Sequence, residues 1–157
     1  MAINLTPHQA LCKRGAHYLK SKLGCVFAVW ELVATSSEQP DAIGWQAWRS
    51  WVIEVKLSRS DFHRDKKKHH RQDPNGGMGN SRYYLCPEGL IKPDELPAGW
   101  GLLYATDKRI YQVAPAIWRS LNESTAIAER NMLVSIMRRS FEKCQYLEAK
   151  IYHRKPR

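Results

Sequence analysis

Asp41 follows Pro40, and after twelve intervening residues Glu54, Val55 and Lys56 stand in a row. Two carboxylates and a nearby ammonium are the residue types that phosphodiester hydrolysis uses. The reaction needs a divalent cation to activate water and to absorb the charge that develops on the phosphorane oxygens. Mg²⁺ takes oxygen ligands in an octahedron and keeps several waters, so two carboxylates and one backbone carbonyl are enough to hold it. Asp41 and Glu54 supply the carboxylates on this reading, and the Val55 carbonyl supplies the third oxygen. Lys56 is placed to orient the attacking water or to stabilise the pentavalent transition state. Asp41, Glu54 and Lys56 are thus the candidate catalytic residues, with Mg²⁺ as cofactor and Mn²⁺ able to substitute.

Pro-Asp and Glu-x-Lys are common strings, and the plainer alternative is a turn aspartate beside an exposed ion pair. The setting favours chemistry. In residues 51–57 (WVIEVKL), Trp51, Ile53, Val55 and Leu57 alternate with Val52, Glu54 and Lys56, so a strand puts Glu54 and Lys56 on one face. Charged residues inside a strand whose other face is Trp, Ile, Val and Leu need a reason to be there.

The flanking segments carry their own secondary-structure signals. Thr6-Pro7-His8-Gln9 is a helix start, with Thr6 as N-cap, Pro7 at the first helical position and Gln9 closing a capping box. Leu11, Gly15, Leu19 and Leu23 continue at helical spacing, and Gly24 suits the helix end. Residues 25–33 (CVFAVWELV) predict a strand covered on both faces, 40–45 a short strand, and 51–57 a third. A basic helix over 60–72 follows. Residues 73–80 (DPNGGMGN) lack the Gly-Lys-Ser/Thr ending of a nucleotide loop and read as a flexible flap that orders on DNA. Strands are expected at 82–86, 101–105 and 109–113. Asn122 or Ser124 caps a last helix, with Ile127, Val134, Met137, Phe141, Cys144 and Ile151 as its apolar stripe.

One domain over residues 1–157 fits the length: a core of 6–115, a helix of 122–151 and a basic tail of 152–157. The 43% apolar and 25% charged fractions are those of a globular protein, and no apolar run approaches the length that spans a bilayer. Met1 to Pro7 lacks a secretory signal pattern, so a cytoplasmic protein with reduced thiols is expected, and its four scattered cysteines show no zinc-finger spacing. A formal net charge of +10 points to a polyanionic partner, nucleic acid first. The apolar last helix would serve either a monomer's core or a homodimer.

The order helix, strand, Pro-Asp strand, Glu-x-Lys strand, helix, strand resembles the core of the PD-(D/E)XK nuclease superfamily. Residues 53–65 (IEVKLSRSDFHRD) are similar to DNA-repair nucleases of the MmcB type, whose EVK-S-x-x-D-F-x-x-D-x-K string falls here on Glu54, Val55, Lys56, Ser58, Asp61, Phe62, Asp65 and Lys67. The resemblance covers about residues 10–115. It implies a restriction-endonuclease-like αβββαβ core: an α/β fold with a mixed central sheet flanked by helices, plus a C-terminal helix. It also implies metal-dependent DNA cleavage in repair, recombination or mobile-element processing, endonucleolytic in preference to exonucleolytic. The competing expectation is a catalytically silent nucleic-acid-binding protein of the same fold. The chain departs from the family at Lys68, where an aromatic residue is frequent, and in its glycine-rich 73–80 segment.

Supporting residues follow from position. Glu31 is either an additional acid for metal binding or a strand-end carboxylate paired with an arginine or lysine. Ser58, Asp61 and Asp65 shape the turn and helix start beside the catalytic strand, with Asp61 as the helix cap and Phe62 beneath it. Lys66, Lys67, Lys68 and Arg71 form the densest cationic run and are the expected phosphate contacts. His63, His69 and His70 have no cysteine or acidic partner at ligand spacing, which argues against zinc there. Trp45, Trp48 and Trp100 are the tryptophans expected at the surface.

Overall fold

The computed structural model describes residues 4–33, 38–68, 73 and 76–143. Helix α1 (Pro7–Ser21) begins at the predicted box: Thr6 Oγ1 accepts the Gln9 N–H at 3.2 Å, and Gln9 Oε1 accepts the Thr6 N–H at 3.1 Å. The chain continues through β1 (Phe27–Trp30), β2 (Ala42–Gln46), β3 (Arg49–Val55), α2 (Arg59–Lys66) and β4 (Ser81–Pro87). A 3₁₀ turn (Pro93–Glu95), β5 (Trp100–Ala105), β6 (Ile110–Ala114) and α3 (Glu123–Lys143) complete it.

The six strands lie side by side in chain order. β1–β2, β2–β3 and β5–β6 are antiparallel, while β3–β4 and β4–β5 are parallel. Parallel neighbours cannot be joined by a hairpin, so the chain must cross over between them. The segment carrying α2 makes one crossing and the segment carrying the 3₁₀ turn makes the other.

Strand alternation sorts the core into two faces. Ala42, Trp51, Ile53, Val55, Tyr83 and Leu85 point to α1, which fills that face with Leu11, Cys12, Ala16 and Leu19. On the opposite face Tyr84, Cys86 and Leu102 meet Phe62 of α2, together with Ile91 and Trp100. Further along, Ile43, Trp45 and Val52 meet Met78 and Met132 of α3. The architecture is a mixed α/β sheet with helices on both faces and a C-terminal helix.

Three expectations need correction. The first strand is shorter than 25–33 and is not covered on both faces. It is the sheet edge, and Val26, Phe27 and Val33 are 81%, 41% and 64% exposed. An all-apolar run does not distinguish a central strand from an edge whose outer face stays wet.

The predicted stripe of α3 is on the wrong side. Ile127, Val134 and Met137 face solvent, whereas Thr125, Glu129 and Met132 are buried, with Ala128, Leu133 and Ile136 packed beside them. Cys144, Ile151 and the Phe141 side chain lie outside the described residues. The inward face was chosen by polar groups that an apolar count passes over. Glu129 accepts hydrogen bonds from Trp45 Nε1 at 3.0 Å, Ser50 Oγ at 2.9 Å and the Gly79 N–H at 2.7 Å. Asn122 is the N-cap, its Oδ1 accepting the Thr125 N–H at 2.9 Å.

The glycine-rich segment is pinned rather than flap-like over 76–80. Met78 is 1% exposed and its N–H donates to Glu38. Asn80 Oδ1 accepts the Ser50 N–H at 2.9 Å, and Arg119 donates to the carbonyls of Gly77, Met78 and Gly79. Gly79 has φ +87° and lies so close to Val52 that a Cβ would sit 2.9 Å from Val52 Cγ2. Only glycine fits both constraints. Pro74 and Asn75 lie outside the described residues.

The two faces of α3 should respond differently to truncation. Met132→Ala should cost about 2–5 kcal/mol, whereas Val134→Ala should stay within about 0.5 kcal/mol. Urea midpoints of the two variants at constant m-value measure the difference.

Candidate active site

The register of the first three strands gathers the acids. Trp30 pairs with Ala42 and Ala42 pairs with Ile53, so one step further Glu31 lies opposite Asp41 and Asp41 lies opposite Glu54. The Glu31 N–H donates to the Asp41 carbonyl at 3.0 Å, which extends the β1–β2 pairing to that step. Asp41 precedes the first residue of β2, and its carboxylate closes the end of the ladder: Oδ2 accepts the Val55 N–H at 2.7 Å. The Lys56 N–H points the other way, to the Leu85 carbonyl at 2.9 Å. Backbone direction alternates along a strand, so the Val55 carbonyl is aimed, like its N–H, toward Asp41.

Glu54 and Lys56 share a face, as alternation predicts, and both are buried. Lys56 Nζ lies 3.6 Å from Glu54 Oε2 and 3.4 Å from Asp65 Oδ1. Asp65 is itself 1% exposed and accepts from the Tyr84 hydroxyl at 2.7 Å. Lys68 Nζ approaches the same carboxylate at 3.0 Å. Asp65 thus couples α2, β3 and β4 by bearing directly on the Lys56 ammonium. Ser58, and not Asp61, caps α2: its Oγ accepts the Asp61 N–H at 3.2 Å, while Asp61 pairs with Arg64 at 2.7 Å. Position decides this, because Ser58 is the extended residue that precedes the first helical turn and Asp61 already lies within that turn. Phe62 lies beneath the helix, fully buried.

Asp41 also reaches α1. His8 Nε2 lies 3.6 Å from Asp41 Oδ2, and His8 Nδ1 lies 3.3 Å from Glu31 Oε1. Gln9 Nε2 donates to the other Glu31 oxygen at 3.0 Å. Glu31 has the only positive φ of a non-glycine among the described residues, at 46°. It is paired with a histidine and a glutamine, not with the lysine or arginine of the structural alternative. Cys12, one turn beyond His8, is fully buried. Burial pushes its thiol well above the ordinary range, and Asp41, Glu31 and Glu54 push it further the same way. One thiol therefore registers the field of all three acids.

The expected phosphate contacts are only partly free to act. Lys68 is tied to Asp65, Lys66 Nζ sits 4.6 Å from the centre of the Phe62 ring, Lys67 is exposed, and Arg71 lies outside the described residues. A cationic feature missed in the sequence lies elsewhere. Lys13 and Arg14 of α1, with Lys22 just past its end, face Lys108 and Arg109 of the β5–β6 turn across a cleft of about 440 Å³. Arg14 Nη2 braces that turn by donating to the Thr106 carbonyl at 2.5 Å. The two groups lie 86 to 96 positions apart, so no charge run in the sequence announces them.

The tryptophans also divide differently. Trp48 and Trp118 are exposed, but Trp45 and Trp100 are buried. Trp45 is held by Glu129, and Trp100 stacks on Tyr84 at 4.4 Å with the Arg82 guanidinium 4.8 Å from its ring centre. Indoles with a polar partner for N–H or ring are good core residues.

No family model matches the chain, and no curated protein matches it. Among solved structures, a protein of unknown function from Silicibacter pomeroyi is similar, with a TM-score of 0.66 and 26% identity over 87% of this chain and 90% of that one. The likeness covers nearly the whole of both chains and supports the mixed α/β fold. No helix among the described residues is long and apolar enough to cross a membrane.

Removing the Lys56 ammonium leaves two carboxylates buried without it, so Lys56→Ala should destabilise the chain by about 3–5 kcal/mol. The double variant Lys56→Met, Glu54→Gln should recover much of that loss. Denaturant unfolding of the two proteins checks the pair.

Proposed function

We propose that the chain is a metal-dependent nuclease that hydrolyses DNA phosphodiester bonds at Asp41, Glu54 and Lys56. The observation that carries this reading is the pairing of Asp41 opposite Glu54 at the end of β2, with Lys56 Nζ 3.6 Å from Glu54. The donor set suits a hard cation: two carboxylates and the Val55 carbonyl offer only oxygen. Mg²⁺, or Mn²⁺ in its place, would be held there and would supply activated water and charge neutralisation.

The chain's own residues do the remaining work. Val55 N–H fixes one Asp41 oxygen, which holds the carboxylate at the strand end. Lys56, gripped between Glu54 and Asp65, keeps its ammonium in one place, so it is organised in advance to orient water or to stabilise developing phosphorane charge. Lys67 and the cleft between α1 and the β5–β6 turn offer positive charge for the flanking phosphates. The net charge of +10 agrees with such a partner.

Purified protein incubated with single-stranded, duplex and branched DNA should cleave at least one of them with Mg²⁺ or Mn²⁺ and none in EDTA. Glu54→Gln should lower the rate by about 10²-fold or more while leaving the fold intact by circular dichroism. DNA binding without metal-dependent cleavage, unchanged in Asp41→Ala and Glu54→Gln, would establish the catalytically silent binding protein instead. Lys108→Ala with Arg109→Ala should make the salt dependence of duplex binding shallower, by about 0.9 in slope for each phosphate that the pair neutralises. Anisotropy titrations at several salt concentrations measure it.

A further inference from the structure

We propose a transition-metal position in this chain, formed by His8 Nε2, Cys12 Sγ and Asp41, that takes a borderline ion such as Zn²⁺ and leaves a fourth position open. It does not rest on the nuclease reading, since it needs neither Glu54 nor Lys56.

Geometry carries the proposal. His8 and Cys12 are four residues apart on α1, so both side chains lie on one helix face. His8 Nε2 is 3.9 Å from Cys12 Sγ and 3.6 Å from Asp41 Oδ2, the thiol also lies 3.5 Å from His8 Nδ1, and one donor atom from each residue lies within 4.8 Å of the other two. Metal–ligand lengths of about 2.3 Å for sulfur and about 2.0–2.1 Å for nitrogen and oxygen make the edges of a tetrahedron about 3.3–3.5 Å. The spacing found here is wider than that, up to 4.8 Å, and the thiol lies nearer Nδ1 than Nε2, so binding requires the His8 ring and the Cys12 side chain to turn toward each other.

The surroundings point to the same ligand. A histidine that binds metal through one nitrogen commonly donates its other N–H to a carboxylate, which sets the tautomer and orients the ring. His8 Nδ1 faces Glu31 Oε1 at 3.3 Å, and Gln9 holds the second Glu31 oxygen at 3.0 Å. Glu31 reaches this place with φ at 46°, a conformation that disfavours a side-chain-bearing residue. Side chain and backbone are thus both committed to positioning one imidazole. His8 is only partly covered, while Cys12 is fully buried, so the fourth position opens toward solvent on the His8 side.

Donor chemistry separates this position from the oxygen-only set. Thiolate and imidazole select Zn²⁺ and similar ions, whereas Mg²⁺ wants oxygen. Asp41 belongs to both sets, and its carboxylate is the group through which two ions would be neighbours.

Co²⁺, a spectroscopic stand-in for Zn²⁺, tests the position directly. Titrated into the reduced full-length chain without DNA, it should produce a thiolate-to-cobalt charge-transfer band in the near ultraviolet, which Zn²⁺ should bleach and excess Mg²⁺ should not. Cys12→Ser, close in size at a buried position, should lose the band, and His8→Gln should lose it or bind far more weakly. Glu31→Gln should keep the band with affinity lowered about 10–100-fold. Glu54→Gln should keep it unchanged, although the proposed nuclease rate would fall by about 10²-fold or more. The proposal is overturned if the parent shows no such band, or if Cys12→Ser and His8→Gln bind Co²⁺ as the parent does. Circular dichroism of each variant shows that the fold is retained. Because the band is read without substrate, its absence leaves the nuclease reading standing, and a missing activity leaves the metal position standing.

Discussion

A lysine ammonium buried between two carboxylates holds the centre of this molecule. Charges removed from water are costly unless they are paired and hydrogen-bonded, so Glu54, Lys56 and Asp65 must stay together. Their partners set how β3, α2 and β4 sit. Asp65 is delivered by the last turn of α2, Tyr84 bonds it from β4, and Lys68 approaches from beyond the helix. The short helix has little apolar surface besides Phe62, and this ionic network ties it to the sheet alongside that packing. Substitutions at Lys56 therefore disturb β3, α2 and β4 together.

The other side of the site is organised by a strand that stops. β2 begins at Ala42, so the backbone of Asp41 is paired to Glu31 while its side chain is free to bond the Val55 N–H at the end of β3. That one carboxylate touches β3 and also faces His8 on α1. Two sets of donors meet there, one of oxygens only and one that includes nitrogen and sulfur. Their different hardness gives the two proposed metal positions different preferences without any difference in fold.

Far from the site, Glu129 does for α3 what Asp65 does for α2. A buried carboxylate with three donors ties the helix to β2, to β3 and to the glycine-rich segment. Arg119 and Asn80 complete the clasp, which explains why a segment rich in glycine is held in place over 76–80. The glycines there serve close approach, Gly79 against Val52 above all.

Local signals decided much of this protein from its sequence. The capping box at Thr6 and Gln9, the alternation that puts Glu54 and Lys56 on one face, and the order of elements all depend on neighbours within a few residues, and the sequence contains those neighbours. Tertiary structure alone decided which face of α3 turns inward, that the first strand is an edge, and that the 76–80 segment is anchored. The helix face and the anchored segment depend on polar contacts between residues thirty to eighty positions apart, and the edge depends on which strands find partners, none of which apolar periodicity registers. His8 and Cys12 stand one helical turn apart in the sequence, but their meaning needed the register of β1 against β2, because only the fold brings Glu31 and Asp41 to the same imidazole.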